Sequence, residues 1–367
     1  MAARLPGSVL IVTESDDPHV AAMTATLRAD HAVTAIHLDL RDFPRERGSF
    51  RLHRFGTART VSHLAGLDGV RSVWWRVPAS GHRGRGAECD SFLEGLLWSI
   101  PAVWINDPAA DSFAARAIVQ LETAQRAGCA VPETLITNDA DDARDFVESR
   151  PGPVVYRSGT AADFAGPTSA DFAGSGTSAD FADRVTPADF ADRVTPADFA
   201  DRVTPADFAG SVTPADFAGS GTASDFAGST IAGGFADPDR LTVSESAPIA
   251  LQDHIPPRCD LRVVWVDGIE WTVRLDPPNS YRPDKLPASV SKSLSTLMGA
   301  LGLSFGVLSL RLGLDGEYYF REVDPRGHFA HLERETGLPL SRSVGNLLVR
   351  GDGTVAGDQL TGSGWPP

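Results

Sequence analysis

Cysteine is scarce in this chain: Cys89, Cys129 and Cys259 are the three in 367 residues, far apart and without a CxxC pair. That excludes a disulfide-stapled secreted scaffold. Each cysteine flanks apolar sequence, so buried free thiols in a reducing compartment are expected. No apolar run reaches the ~18 residues that a membrane span needs. The opening Met-Ala-Ala-Arg-Leu-Pro-Gly lacks the core of a signal peptide. Positive charge is also short, 33 Lys and Arg against 48 Asp and Glu, for a net charge of −15. Such an acidic chain makes a poor general binder of nucleic acid or anionic membrane, although a locally basic pocket for phosphate is compatible with it. A glycine-rich dinucleotide fingerprint is missing as well; the turn after the first apolar run reads Glu14-Ser-Asp-Asp-Pro18. The expectation is a cytoplasmic protein of two or three domains with no nucleic-acid and no membrane partner.

What is present is an alternation of strands and helices. Residues 8–13, Ser-Val-Leu-Ile-Val-Thr, are nearly all apolar, as buried parallel strands are. A helix over 20–29, strands over 32–40 and 71–77, a helix over 88–99 and a strand over 102–105 follow, with a polar segment before residue 71. The alternation predicts a parallel α/β domain over 1–105, a scaffold or substrate platform rather than a nucleotide site. From Asn106 the character changes. Asp107-Pro108 starts a long helix over 109–126 that Gly128 closes, a strand covers 131–137, Asn138 caps a helix over 139–149, and 153–157 is a strand.

Next comes a repeat. Ala-Asp-Phe or Ser-Asp-Phe recurs with a spacing of nine from Phe172 to Phe226, with a degenerate copy ending at Phe235. Several units read Thr-Pro-Ala-Asp-Phe-Ala, with Thr at N-cap, Pro at N1 and Asp at N3, the start of a helix that Gly-Ser or Asp-Arg-Val then stops. One Phe per unit is too little for a core, and the Gly-Gly-x-Gly-x-Asp signature of a calcium β-roll is absent. The tract over 160–236 reads as a tandem duplication of one short helix, inserted at the surface, where added loop length carries little entropic penalty.

After it, strands are expected over 247–255, 260–266 and 269–275, the last two joined by a turn at Gly268. A helix over 286–301, a hairpin of 305–312 with 317–323 around Asp315-Gly316, and a helix over 341–349 complete the pattern, with a loose tail over 351–367. The second hairpin holds the most informative run, Asp315-Gly-Glu-Tyr-Tyr-Phe-Arg-Glu-Val-Asp-Pro-Arg-Gly-His-Phe329. Strand alternation puts Glu322 and Asp324 on one side, Pro325 stops the strand and Gly327 lets the backbone turn. Two carboxylates fixed at a strand end suit a hard cation such as Mg²⁺, which in turn holds polyphosphate.

From about residue 104 to 348, the repeat tract apart, these pieces resemble the ATP-grasp enzymes that modify ribosomally made peptides, the microviridin-type (graspetide) maturases. The matching segments are Ala-Pro-Ile-Ala-Leu-Gln-Asp-His-Ile-Pro, Asp-Leu-Arg-Val-Val-Trp-Val-Asp-Gly, Leu-Gly-Leu-Ser-Phe-Gly-Val, the acidic run above and Thr-Gly-Leu-Pro-Leu; Val-Leu-Ile-Val-Thr and Val-Trp-Trp-Arg fit the family's N-terminal domain. The resemblance implies an ATP-grasp fold, α/β with an α+β C-terminal part: an N-terminal domain (1–105), a central subdomain (106–255) carrying the repeat insertion, and a C-terminal subdomain (256–350). It implies ATP and Mg²⁺ as cofactors, a precursor peptide as partner and substrate, and a homodimer. The family phosphorylates an Asp or Glu side chain, and a hydroxyl or amine then closes an ester or amide.

By the same resemblance Glu322 and Asp324 hold metal. Arg157 stands where the family usually has a nucleotide-gripping Lys, and Gln252, Asp253, His254 and Ile255 match the hinge that meets adenine. Arg262 matches an Arg that contacts phosphate or the acyl intermediate; an ion pair with Asp260 is the alternative. Arg274 is a further phosphate-side candidate. Ser309 replaces a family Asp, and Asp324 and Arg326 replace Asn. These departures leave open a catalytically impaired relative that binds peptide or nucleotide. Other matches fail on context. Gly302-Leu-Ser-Phe-Gly306 has helix before and strand after, the reverse of a nucleophile elbow. Gly81-His-Arg-Gly-Arg-Gly86 reads as a loop, and His328, His331 and Glu333 as a polar rim rather than a zinc site.

Overall fold

The computed structural model describes residues 7–14, 16–42, 48–54, 56–61, 64–65, 67–76, 87–158, 233–236, 243, 248–276 and 280–350. The apolar opening run becomes β1 (Ser8–Val12). Helix α1 (Pro18–His31) follows, started by Asp17, whose side chain accepts from the His19 amide, and by Pro18 in the first turn. Then come β2 (Ala35–Leu38), β3 (Gly48–His53), β4 (Gly56–Val61), β5 (Leu64–Ala65), β6 (Val70–Trp75), α2 (Ala87–Trp98) and β7 (Val103–Ile105). The sheet order is β2-β1-β6-β7, and every pairing is parallel. The predicted parallel α/β domain is present. The polar segment, to which no element was assigned from the sequence, forms an antiparallel β3-β4-β5 ribbon. Phe50 and Leu52 on β3 are exposed, so no core-facing alternation marked it in the sequence.

The single helix expected over 109–126 is two: α3 (Pro108–Ala114) and α4 (Ala117–Arg126). Arg116 between them is extended, and no Pro or Gly marks the break. At the break Gln120 Nε2 donates to the Ala114 carbonyl at 2.6 Å, giving the end of α3 a partner outside the helical ladder. After Gly128 (φ +82°) come β8 (Thr134–Thr137), α5 (Ala140–Ser149), β9 (Val154–Ser158), β10 (Gly233–Phe235) and β11 (Ile249–Asp253). Asp139, one residue beyond the expected Asn138, caps α5. These strands form an antiparallel sheet, β10-β9-β11-β8. The repeat tract lies outside the described residues up to Gly233, as does the 351–367 tail.

The C-terminal part is a five-stranded antiparallel sheet, order β14-β13-β12-β15-β16, built from β12 (Pro257–Val266), β13 (Ile269–Asp276), β14 (Ser280–Asp284), β15 (Phe305–Gly313) and β16 (Tyr318–Asp324). Asp267 and Gly268 both have positive φ, the two-residue hairpin turn expected there. Helix α6 (Ala288–Leu301) precedes β15; α7 (Ala330–Thr336), not foreseen in the sequence, and α8 (Leu340–Arg350) follow β16. Alternation along the strands fills both faces of this sheet. Leu261, Val263, Leu308, Leu310, Phe320 and Val323 pack with Leu294, Leu297 and Met298 of α6. Val264, Val266, Val273, Phe305 and Val307 pack on the other side with Val9, Ile11, Met23, Leu27 and Trp74 of the N-terminal domain. One apolar core therefore joins the N-terminal domain to the C-terminal sheet, whereas the central sheet has a small core of its own around Ala143, Val154, Ile249 and Leu251.

A buried polar latch crosses the same junction. His19 Nε2 accepts from the Phe329 and Ala330 amides at 3.1 Å each, capping the start of α7 from another domain. The ring proton is therefore on Nδ1, which donates to Asp17 Oδ1 at 2.6 Å. Arg76, buried and lying over the Trp74 ring, donates to Asp17 Oδ2 at 2.7 Å. Burial alone would raise the Asp17 carboxyl, but Arg76 and His19 hold it well below the usual range. Burial, and next the Arg76 charge, push the His19 pKa down to about 4. Asn106 adds a second staple: its amide donates to the Phe305 and Pro325 carbonyls and accepts from the Ser304 and Phe305 amides.

Gly327 closes the expected turn after the strand, its amide donating to the Asp324 carbonyl at 3.2 Å, although its φ is not among the positive ones. Its missing side chain serves close approach, because a Cβ there would lie 2.4 Å from Val307 Cβ. Gly327→Ala is expected to destabilise the protein by about 1–3 kcal/mol in urea unfolding. Val307→Gly, which removes that Cβ as well, is expected to give a double variant that costs less than the sum of the two single losses, since it opens the contact. A second expectation concerns pH. The unfolded His19 takes its proton near 6.5 and the folded one near 4, so between those values the unfolded state binds more protons. The urea midpoint accordingly falls as pH drops from 6.5 towards 4, and His19→Gln shows a shallower fall.

Candidate functional site

The face of the C-terminal sheet that meets the N-terminal domain turns polar at one place. Register aligns Arg262 on β12, Ser309 on β15 and Glu322 on β16. Arg262 Nη1 donates to Ser309 Oγ at 2.5 Å, and Ser309 donates to Glu322 Oε1 at 3.1 Å. Asp324 is opposite Val307 on the same face. The ladder shifts between Ser309↔Glu322 and Leu310↔Phe320, leaving Arg321 as a bulge residue. Bulges re-aim side chains beside functional sites. Here the bulge lets Phe320 and Val323 both reach the core while Glu322 and Asp324 keep the polar side.

The donor set fits a magnesium ion in chemistry. Glu322 and Asp324 offer only oxygen, and burial, reinforced by the Glu322 charge, raises the Asp324 pKa. A cation between them would relieve that repulsion. Asp324 also accepts from the Arg326 amide at 2.9 Å. The Arg326 guanidinium turns away to Asp111 on α3, a buried pair that sequence reasoning missed. Burial pushes the Asp111 pKa up to about 6 despite that partner, and among the described residues its Oδ1 has no hydrogen bond.

A cleft opens between β16 and the central sheet, lined by Thr134, Ile136, Ala250 and Gln252 on one side and Arg321 and Glu322 on the other. Ala117, Gln120 and Leu121 of α4 close its end. Gln252 lines it and donates to Thr134 Oγ1 at 2.9 Å. The other residues of this segment are engaged differently. The Asp253 carboxylate takes both ends of Arg150, its amide donates to the Glu133 carbonyl, and the His254 amide donates to Pro153. The Ile255 carbonyl accepts from Arg311 at 3.2 Å. Burial, with Arg311 and Arg321 nearby, lowers the His254 pKa to about 4, and Phe235 stands edge-on to its ring. Arg157 pairs in register with Ala250 and Gly233.

Asp260, the alternative partner considered for Arg262, has its carboxylate taken by both ends of Arg311, with Arg262 adding to the positive charge around it. Arg274 is not brought to the cluster. It stands opposite Leu261, on the far face of the sheet, with its Nε 2.8 Å from Asp276. Lysine is almost missing from the chain, Lys285 and Lys292 being the only two, so the cations at this face are guanidinium groups. His328, His331 and Glu333 do not converge. Glu333 accepts from Ser341 at the start of α8, and His331 faces Tyr281. A different trio, Asp17, His19 and His328, has ligand atoms within 4.8 Å of one another. It does not fit a metal, because both His19 nitrogens are committed and Arg76 already supplies the positive charge.

Among the described residues no helix is long and apolar enough to cross a membrane. No family model and no curated protein matches the sequence. Solved structures do match. Macrocyclase MdnB from Microcystis aeruginosa MRC has a TM-score of 0.67 at 23% identity, covering 94% of this chain and 99% of its own. The RiPP-associated ATP-grasp ligase of Chryseobacterium gregarium, in complex with ADP and a leader and core peptide, has a TM-score of 0.67 at 16% identity over 94% and 97%. ATP-grasp ligase PsnB, complexed with a phosphomimetic variant of minimal precursor, Mg and ADP, has a TM-score of 0.63 at 17% identity over 95% and 100%. With its parallel N-terminal sheet and the two antiparallel sheets that bound the cleft, the chain has the ATP-grasp fold.

Proposed function

We propose that this chain is an ATP-dependent carboxylate ligase that activates Asp or Glu side chains of a ribosomal precursor peptide and closes them onto a hydroxyl or an amine. The observation that carries the reading is the placement of Glu322 and Asp324: both stand on the polar face of one strand, with Arg262 and Ser309 in line and the cleft beside them. The fold supports it, since the matching structures are of ATP-grasp enzymes, several of them with a peptide and a nucleotide. The division into 1–105, 106–255 and 256–350 belongs to the same proposal; the separate core of the central sheet supports its middle part, whereas Ala114 and Ala124 pack in the core of the C-terminal sheet.

In this reading the nucleotide lies in the cleft, beside Gln252 and the hinge, with Arg157 on the neighbouring strand. Glu322 and Asp324 would hold Mg²⁺, which when bound neutralises phosphate charge. Arg262 faces the same site and stabilises charge on the group in transfer. A peptide carboxylate oxygen attacks the γ-phosphorus and ADP leaves. A hydroxyl or amine then attacks the acyl carbon, gives up its proton, and phosphate departs. The cross-linked peptide has lost one water. Arg274, bonded to Asp276 on the opposite face, is left out of this scheme.

A second reading, a nucleotide- or peptide-binding relative without turnover, is favoured by one observation. Ser309, where a carboxylate is expected, is tied to Arg262 and Glu322 at once. ADP release and peptide mass decide between them. With ATP, Mg²⁺ and a short peptide rich in Thr, Ser, Asp and Glu, the preferred reading expects ADP release and a product lighter by one water per bond. ADP binding with no turnover on any such peptide would favour the second reading. Glu322→Gln and Asp324→Asn are expected to lower turnover by more than about 100-fold, the upper end for loss of a residue that only supports a metal ligand. Arg274→Gln, on the far face, is expected to leave turnover within about twofold, as a surface change acting through stability alone would.

A further inference from the structure

We propose that Gln120 is a positioning residue for the metal-holding strand, acting through the Val323 backbone; this rests on the reading of Glu322 and Asp324 as metal ligands. β16 is the outermost strand of its sheet, so its outer edge needs partners from elsewhere. Phe320 finds one in the Ala130 carbonyl at 2.8 Å. At Val323 the partner is a side chain. Val323 N donates to Gln120 Oε1 at 2.9 Å, and Gln120 Nε2 donates to the Val323 carbonyl at 2.8 Å. The amide thus takes the place that a neighbouring strand would fill.

Val323 lies between Glu322 and Asp324. Because strand side chains project alternately, the peptide planes on either side of Val323 set the direction of both carboxylates. The bulge at Arg321 interrupts the inner ladder just before this point; the ladder resumes at Ser309↔Glu322, Leu308↔Val323 and Val307↔Asp324, and Gln120 secures the opposite edge. Gln120 is only 2% exposed, and its second amide hydrogen goes to the Ala114 carbonyl at 2.6 Å, so the side chain is itself held from two directions. It also sits at the end of the cleft with Glu322. No part of it is directed at a ligand, and its effect is on where the ligands point.

The test uses the full chain with ADP and Mn²⁺ as the probe, read by the electron paramagnetic resonance of the bound ion, with ADP affinity measured separately without metal. Gln120→Glu keeps shape but loses both N–H donors; Gln120→Leu removes the amide altogether. Each is expected to weaken Mn²⁺ binding to the ADP complex by roughly 10–100-fold and to broaden its spectrum, with metal-free ADP affinity unchanged. Gln120→Glu is the sharper variant, because an added negative charge near the site would tighten cation binding if charge alone mattered. Mn²⁺ binding equal to or tighter than wild type in both variants overturns the inference. Loss of ADP together with Mn²⁺ also overturns it and marks Gln120 as part of the fold or cleft wall. Wild type that takes up ADP without any Mn²⁺ overturns the metal reading itself, a result distinct from either.

Discussion

The five-stranded sheet has both faces buried, and that constraint shapes the rest of the molecule. Apolar side chains must alternate on both sides of β12 and β15, one set against α6 and the other against the N-terminal domain. Charge is tolerated only where an aligned partner satisfies it. The line Arg262–Ser309–Glu322 is such a place, and Asp260–Arg311 another, two residues further along β12 and β15. The candidate site is thus the point where a double-sided core gives way to paired polar groups at the sheet's edge.

Among the described residues the N-terminal domain supplies none of the ligands proposed for nucleotide or metal, yet it is not an independent appendage. Trp74 stacks edge-on with Phe305 and near Phe329, and His19 caps the helix that follows the acidic strand. Asn106 satisfies four backbone groups at the same junction. Buried polar networks of this kind specify one arrangement because any slip leaves several groups unpaired. The segment 325–330 therefore takes its course from residues more than two hundred positions away in sequence.

Much of this was legible in the sequence, for physical reasons. The all-apolar β1, the alternating β12 and β15 and the turn glycines at 268 and 316 speak through local periodicity and backbone chirality, and they appear where expected. Glu322 and Asp324 share a face as predicted, although a bulge next to them decides which neighbours reach the core. What could not be read depends on contacts distant in the chain. The break between α3 and α4 has no Pro or Gly, and the Gln120 just after it is bonded to Val323, 203 positions on. Arg326 looks like a site residue until Asp111 is found to hold it. Arg274 differs from Arg262 by which face a paired strand presents, and the register of β13 fixes that. Gly327 closes the turn its sequence signals, but its close approach to Val307 is visible only in space.

β9 and β10 are neighbours in the central sheet, with Arg157 directly across from Gly233. Everything between them in the chain leaves from and returns to the same rung. An excursion that begins and ends at one point of a sheet can lengthen or shorten by whole units without moving either anchor, and closure entropy grows only with the logarithm of its length. A gain or loss of whole nine-residue units would on this geometry leave both anchoring strands where they are.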